Sequence, residues 1–261
     1  VQLAIEIVQP SAKLITPPEW FDGMIKIAEY CGRISHKTED KQTPESASVF
    51  LRKWCIEGET EQKRHESILE HAAQITFHFV MSRAASHQLV RHRLCAYTQE
   101  SQRYCDYSKP RFGHTLRVIL PPSYVPDGAP PAGTLVTAEF DSHNDDVYYQ
   151  LVFPGGEVAG IGMYGEPFHY WATTIIRSYG RYLWLCGEHH IPAEDSRFLL
   201  PNAAKTEIVT TANARQWLHM FDMRCDHHAQ WEVRRVMTQA LSILARHAPV
   251  LFSEKAKEHG L

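Results

Sequence analysis

What this chain lacks narrows it first. No apolar run approaches the roughly 18 residues needed to cross a bilayer, and the opening VQLAIEIVQP has neither the basic flank nor the long apolar stretch of a secretory leader. The expectation is a cytoplasmic protein with no membrane partner. There is no excess of positive charge either: 27 Lys and Arg stand against 30 Asp and Glu, for a net charge of −3. A general nucleic-acid binder needs a basic surface, so no nucleic-acid partner is expected and any anion site must be local. Six cysteines, at 31, 55, 95, 105, 186 and 225, show no C-x-x-C spacing and read as reduced thiols. With 44% hydrophobic residues, the 261-residue chain can bury a sizeable core.

Periodicity places the elements. LAIEIV, 3 to 8, reads as a strand, and Pro10 to Pro18 as a turn region. Helical spacing predicts helices from Glu19 to about Arg33 and from Ser46 to Ile56. Gln74 to Met81 alternates Ile75, Phe77 and Phe79 with polar neighbours, which is strand periodicity, and makes His78 a satisfied sheet histidine. Ser82 can then cap a helix from Arg83 to about Arg93. Arg117 to Leu120 is a short strand.

From 121 to 165 the chain is rich in Pro, Gly and Asp and reads as a loop-rich insertion. Gly160 to Gly165 spells G-x-G-x-x-G, but without the preceding strand and βαβ frame of a dinucleotide fingerprint it reads as a flexible loop. Downstream come a helix from Pro167 to Cys186 closed by Gly187, a short helix from Ala193 to Leu199 behind Pro192, and a strand from Thr206 to Thr211. Asn213 caps a helix from 214 to about 224, Ala229 to His247 carries a core stripe, and the tail after Pro249 reads as a short polar helix. The expected architecture is α+β, a mostly antiparallel β-sheet flanked by helices, in one catalytic domain covering 1–261.

Leu89 to Tyr104, LVRHRLCAYTQESQRY, is the stretch least like structural filler. Arg91, His92 and Arg93 stand side by side, and Ser101, Arg103 and Tyr104 follow after a spacer of seven residues that holds Gln99 and Glu100. Like charges packed this densely repel unless water or an anion screens them. Guanidinium forks suit phosphates and planar imide edges, so the chemistry points to a ligand with a phosphate and a flat heterocycle. Basic residues at a helix end also gain from the macrodipole, which accounts for Arg91 and Arg93 but not for Ser101 and Arg103.

HESILEH, 65 to 71, holds His65, Glu66, Glu70 and His71, a set that could suggest a metal. A zinc-protease helix needs two histidines one turn apart, whereas these two lie six apart and point to opposite sides. No metal is expected there.

R-H-R, seven residues and Ser, continuing to Arg103-Tyr104, resembles the signature of the flavin-dependent thymidylate synthases. HESILEH resembles that family's H-x-x-x-x-E-H stretch, Ser196 to Pro201 its A-R-x-x-L-P, Asn213-Ala214-Arg215 its N-A-R, and Arg224 to Glu232 its R-x-x-x-H-A-Q-W-E. The matches run in family order from about Ile27 to Phe252.

The resemblance implies reductive methylation of dUMP to dTMP, with methylenetetrahydrofolate as carbon donor, FAD as cofactor, NADPH as reductant and a homotetrameric assembly. Arg224 would be catalytic, stabilising uracil ionised at N3, with no enzyme nucleophile. Gln88, Arg91, Glu100, Ser101, Gln102, Arg103 and Arg197 would hold the nucleotide together with Arg224. Ser67, Arg91, His92, Arg93, Gln99, Asn213, Arg215 and His219 would hold the flavin, with His65 near its ring. Gln99 departs from the family pattern, which commonly has a carboxylate there. Ser101 is not read as a nucleophile, because the chain has no G-x-S-x-G elbow. Cys95 and Cys105 are the thiols nearest the signature, for a route that would attack C6 of the pyrimidine. Two rival readings are a non-catalytic nucleotide or RNA module using the arginine loop, and a histidine-rich metal hydrolase.

Overall fold

In the computed structural model, which describes residues 1–58, 64–160 and 162–261, the strands in chain order are β1 (Gln2–Val8), β2 (Ser11–Leu14), β3 (Ile75–Ser82), β4 (Ala96–Gln99), β5 (Thr115–Ile119), β6 (Leu135–Phe140), β7 (Val147–Val152), β8 (Val158–Ala159) and β9 (Lys205–Ala212). The helices are α1 (Trp20–Ile34), α2 (Ser46–Leu51), α3 (Arg83–Leu89), α4 (Gly165–Gly187), α5 (Ala193–Ser196), α6 (Ala214–Arg224), α7 (Trp231–His247) and α8 (Pro249–Glu258). The fold is α+β, and antiparallel pairing dominates its sheets. Two compact units divide the chain. The first is Val1–Pro10, Val80–Ser86 and Gln99–Thr206; the second is Ser11–Phe79, His87–Thr98 and Glu207–Leu261.

The first unit is built on alternation. β1 buries Leu3, Ile5 and Ile7 and leaves the residues between them at least partly exposed, as a period of two requires. It pairs in parallel with β5, Ile5 opposite Leu116, and antiparallel with β6, Ile5 opposite Val136. β7 and β8 extend the sheet to the order β5-β1-β6-β7-β8. The stretch 121–165, read as loop-rich, therefore supplies three of the five strands. Its Pro and Gly clusters mark the turns between short strands rather than an unstructured insert. Of the G-x-G-x-x-G run, Ile161 lies outside the described residues, and Gly165 opens α4 at φ +77°.

α4 buries Phe168, Trp171, Ile175, Tyr179 and Tyr182 in the same core as β1 and β6. It comes so close to β6 that a Cβ on Gly180 would overlap the Phe140 ring.

The second unit holds a four-stranded sheet in the order β2-β3-β9-β4. β3 buries Ile75, Phe77 and Phe79, and Trp217 of α6 meets the Phe77 ring edge-on while its indole N–H donates to the Ile75 carbonyl at 3.0 Å. His78 is satisfied as expected, paired with Glu207 at 2.8 Å. α6 and α7 start on side-chain caps, Asn213 accepting from the Gln216 amide and Gln230 from Glu232 and Val233. The α7 stripe of Val233, Val236, Met237, Ala240, Leu241 and Leu244 is buried.

Four further expectations are corrected. Residues 11–14, placed in a turn, form β2 because the sheet beside β3 gives their backbone partners. The helix starting at Ser46 is α-helical only to Leu51 and passes into a π-helical turn, Arg52–Glu57, that ends at Gly58 with φ +66°. α3 stops at Leu89 instead of running to Arg93. The Tyr97 hydroxyl donates to the Leu89 and His92 carbonyls at 2.8 and 2.9 Å, taking up groups that a longer helix would satisfy itself, and β4 follows. α8, read as polar, buries Val250, Leu251, Phe252 and Ala256, with Phe252 edge-on to Phe221. Among the described residues no helix is long and apolar enough to cross a membrane.

Candidate functional site

In the second unit the early end of α3 determines where the charged triplet goes. Arg91, His92 and Arg93 sit in the turn after α3, with His92 turned inward at 6% exposure and both arginines exposed. Arg224, the last residue of α6, donates through Nε to Nε2 of His92 at 2.9 Å and through Nη2 to the Gln88 carbonyl at 3.3 Å. A guanidinium has no acceptor atom, so His92 must present a bare Nε2. Burial first, then the charge of Arg224 and the neighbouring His219, lower the His92 pKa to about 4. The ring is therefore neutral at physiological pH and serves as a fixed acceptor. Nη1 of Arg224 has no partner among the described residues.

Near the start of α6, Asn213, Arg215 and His219 line a cavity of about 620 Å³ with Leu94, Glu66 and Glu70. Arg215 and His219 share a face one helical turn apart. Arg215 pairs with Glu70 at 2.6 Å and lies 3.6 Å from Glu66. All three side chains are about half exposed, so the pairing is weak and easily exchanged. Ser67 is exposed on the 3-10 turn Glu66–His71, just after His65. Arg91 and Arg93 make no side-chain hydrogen bond or ion pair with other described residues. Two exposed, unneutralised guanidiniums and a cavity of mixed character lined by Asn213, Arg215 and His219 fit a flavin nucleotide, whose pyrophosphate needs such donors.

In the first unit Gln99 ends β4, and the loop after it carries Glu100 to Arg103. The Gln99 amide nitrogen donates to Ser86 Oγ at 2.8 Å and Thr206 Oγ1 at 3.2 Å. Glu100 accepts from Lys205 Nζ at 3.0 Å on one oxygen and from the Tyr107 hydroxyl at 2.9 Å on the other, while its carbonyl accepts from Arg83 at 3.3 Å. Ser101 Oγ accepts from the Arg103 amide at 3.2 Å, and Gln102 beside it is half-buried.

Arg103 pairs with the Glu194 carboxylate, and Arg197 Nε donates to the Glu194 carbonyl at 2.9 Å. One residue of α5 thus gathers the two arginines. Arg83 is held below the usual arginine range by burial, with Arg197 adding to that shift against the opposing influence of Tyr107 and Glu100.

Sequence reasoning missed Arg83, Glu194, Lys205 and Tyr107. The Lys205 and Glu100 partners lie 105 residues apart in the chain, so no local pattern announces them. All six cysteines are free thiols, and burial pushes the Cys95 thiol above its usual pKa. Asp226, His227 and His228, the one cluster with metal-like spacing among the described residues, sit near the surface, where Asp226 already accepts from His228 at 2.9 Å.

A family profile described as thymidylate synthase complementing protein matches residues 19–250. A curated flavin-dependent thymidylate synthase of Geobacter sulfurreducens is 36% identical over 194 residues, which is 73% of this chain and 64% of that protein. The Corynebacterium efficiens protein of the same description is 30% identical over 262 residues, covering 97% of this chain and 90% of its own length. Among solved structures, thymidylate synthase X of Helicobacter pylori with FAD and dUMP superposes at TM-score 0.59 and 17% identity, covering 96% of this chain and all of that one. A UMP/dUMP methylase from Streptomyces cacaoi bound with 5-Br dUMP superposes at 0.62 and 17% identity, with 95% of each chain covered.

Proposed function

This chain belongs to the thymidylate synthase complementing protein family, whose curated relatives are named flavin-dependent thymidylate synthases, and from that premise we propose that it methylates dUMP to dTMP. The carbon donor is methylenetetrahydrofolate, FAD is the cofactor and NADPH the reductant. The protein acts as a single catalytic domain in a cytoplasmic homotetramer. Ser67, Arg91, His92, Arg93, Asn213, Arg215 and His219 would hold FAD, which in its reduced form would supply the hydride that completes the methyl group. Gln99 would join them through Oε1, since its amide nitrogen is engaged by the Ser86 and Thr206 hydroxyls.

The observation that carries the reading is Arg224. Its Nε and Nη2 are occupied by a neutral imidazole and a carbonyl, which fixes the guanidinium plane without cancelling its charge. Placed at the N3–C4 edge of uracil, the remaining N–H groups stabilise the ring ionised at N3. Electron density then rises at C5, which forms the bond to the incoming carbon and later gives up its hydrogen as a proton. A fixed donor facing developing charge in a water-poor site is commonly worth about 3 kcal/mol. Glu100, Ser101, Gln102, Arg103 and Arg197, with Gln88 and Arg91, hold the nucleotide. No enzyme thiol is required, in keeping with the raised pKa of Cys95.

The test is direct. Purified protein titrated with FAD is expected to give flavin absorbance and, with folate donor and NADPH, to release tritium from 5-labelled dUMP. Protein that takes up no flavin and releases no label would refute the reading.

A further inference from the structure

The loop assigned to the nucleotide is tied down at both ends by residues that do not reach its exposed part. At its start the Glu100 carbonyl accepts from Arg83 and the Glu100 carboxylate accepts from Lys205 Nζ at 3.0 Å. At its end the Tyr107 amide donates to the Tyr182 hydroxyl and the Tyr107 carbonyl accepts from the Tyr179 hydroxyl, both at 3.1 Å. The two ends are then joined, because the Tyr107 hydroxyl donates to the second Glu100 oxygen at 2.9 Å. Inside the loop the Tyr104 and Cys105 amides close a turn on the Ser101 carbonyl at 3.2 and 2.8 Å. Ser101, Gln102 and Arg103 therefore stand on a short arch whose feet meet at one carboxylate.

The geometry points to Lys205 as a positioning residue for nucleotide binding, acting through Glu100 on the Ser101–Arg103 arch. Its side chain is only 8% exposed and that of Glu100 15%, so water cannot take over for either charge where it stands. With the ammonium removed, the carboxylate has to turn toward solvent. That movement pulls on the residue next to Ser101 and loosens the grip of Tyr107. Both Glu100 oxygens are engaged by protein groups, so Glu100 sets the shape of the arch in addition to its own place among the nucleotide contacts. Lys205 opens β9, an element otherwise concerned with the sheet, and the inference rests on the nucleotide role proposed for the arch.

Lys205→Met, Lys205→Arg and Tyr107→Phe in the full-length, flavin-loaded protein separate the possibilities. Lys205→Met is expected to raise the dUMP KM about tenfold or more, with kcat within about threefold and flavin content unchanged, because misplaced binding groups weaken capture of the nucleotide. Lys205→Arg, which keeps the charge, should restore KM to within about threefold, a rescue that a general folding defect would not show. Tyr107→Phe removes one hydroxyl and should raise KM about threefold, which provides the measurement if Lys205→Met does not fold. A KM matching the parent in Lys205→Met, or in Tyr107→Phe where that is the variant measured, would overturn the assignment.

Amide exchange over residues 101–106 gives a readout independent of turnover. Faster exchange in Lys205→Met supports the arch and unchanged exchange overturns it, even for a protein found not to process dUMP at all. In that case only the functional reading falls.

Discussion

Nε of Arg224 donates to Nε2 of His92 across 2.9 Å, a pairing of a permanent cation with an imidazole kept neutral by burial and by that same cation. The histidine of the R-H-R triplet is thus an acceptor that orients the arginine assigned to catalysis. The two flanking arginines face outward.

Arg224→Ala is expected to keep its flavin and to lose turnover by about a hundredfold to a thousandfold, the cost of removing one fixed donor from developing charge. Flavin absorbance and tritium release from 5-labelled dUMP, measured on the same preparation, check both halves. Turnover equal to the parent protein would refute the role of Arg224.

His92 gives the fold a definite acid sensitivity. Its pKa is about 4 in the folded protein against 6.5 as the ordinary value, so between those limits the unfolded chain binds more protons. Stability is fully present above about 6.5 and is lost as pH falls toward 4, by at most about 3 kcal/mol from this group. Urea midpoints measured across that range should fall with acid in the parent and fall less in His92→Gln. Parallel slopes in the two proteins would remove His92 as the cause.

Glu194→Ala should separate capture from stability. The Arg103–Glu194 pair is roughly half exposed, so its loss should cost less than about 1 kcal/mol of folding free energy. Releasing Arg103 should nevertheless raise the dUMP KM severalfold. A shifted melting temperature with an unchanged KM would be the opposite of this expectation.

Cys95→Ala and Cys105→Ala, singly or together, should leave turnover within about threefold, because the proposed chemistry uses no thiolate and burial disfavours one at Cys95. Loss of tritium release with flavin retained would restore the thiol route.

Gly180→Ala should destabilise the first unit by about 1–3 kcal/mol, since the new methyl group meets the Phe140 ring in a filled core. Thermal midpoints test this, and an unaltered midpoint would mean that the ring yields freely.

Legibility followed range along the chain. β1, β3, the Asn213 cap and the α7 stripe depend on residues a few positions apart, and periodicity showed them. The end of α3 depends on Tyr97, eight residues beyond Leu89, so the helical pattern ran on past the true end. β2 and the strands of 121–165 are short and take their stability from neighbours distant in sequence, which composition cannot report. The residues named for the site came from spacing and family resemblance. The partners that orient them did not: Glu194 for the arginine pair and Lys205 for Glu100 have no sequence signature, because an ion pair between residues distant in the chain is specified by folded geometry alone.

The closeness of Gly180 to Phe140 also bears on how this protein can change over generations. A larger side chain at 180 costs stability while a phenyl ring occupies 140, and a smaller group at 140 leaves a void while 180 stays bare. Neither site has a harmless first step, so the two can drift only as a pair, and the seam between helix and sheet is held in place by the rarity of double events.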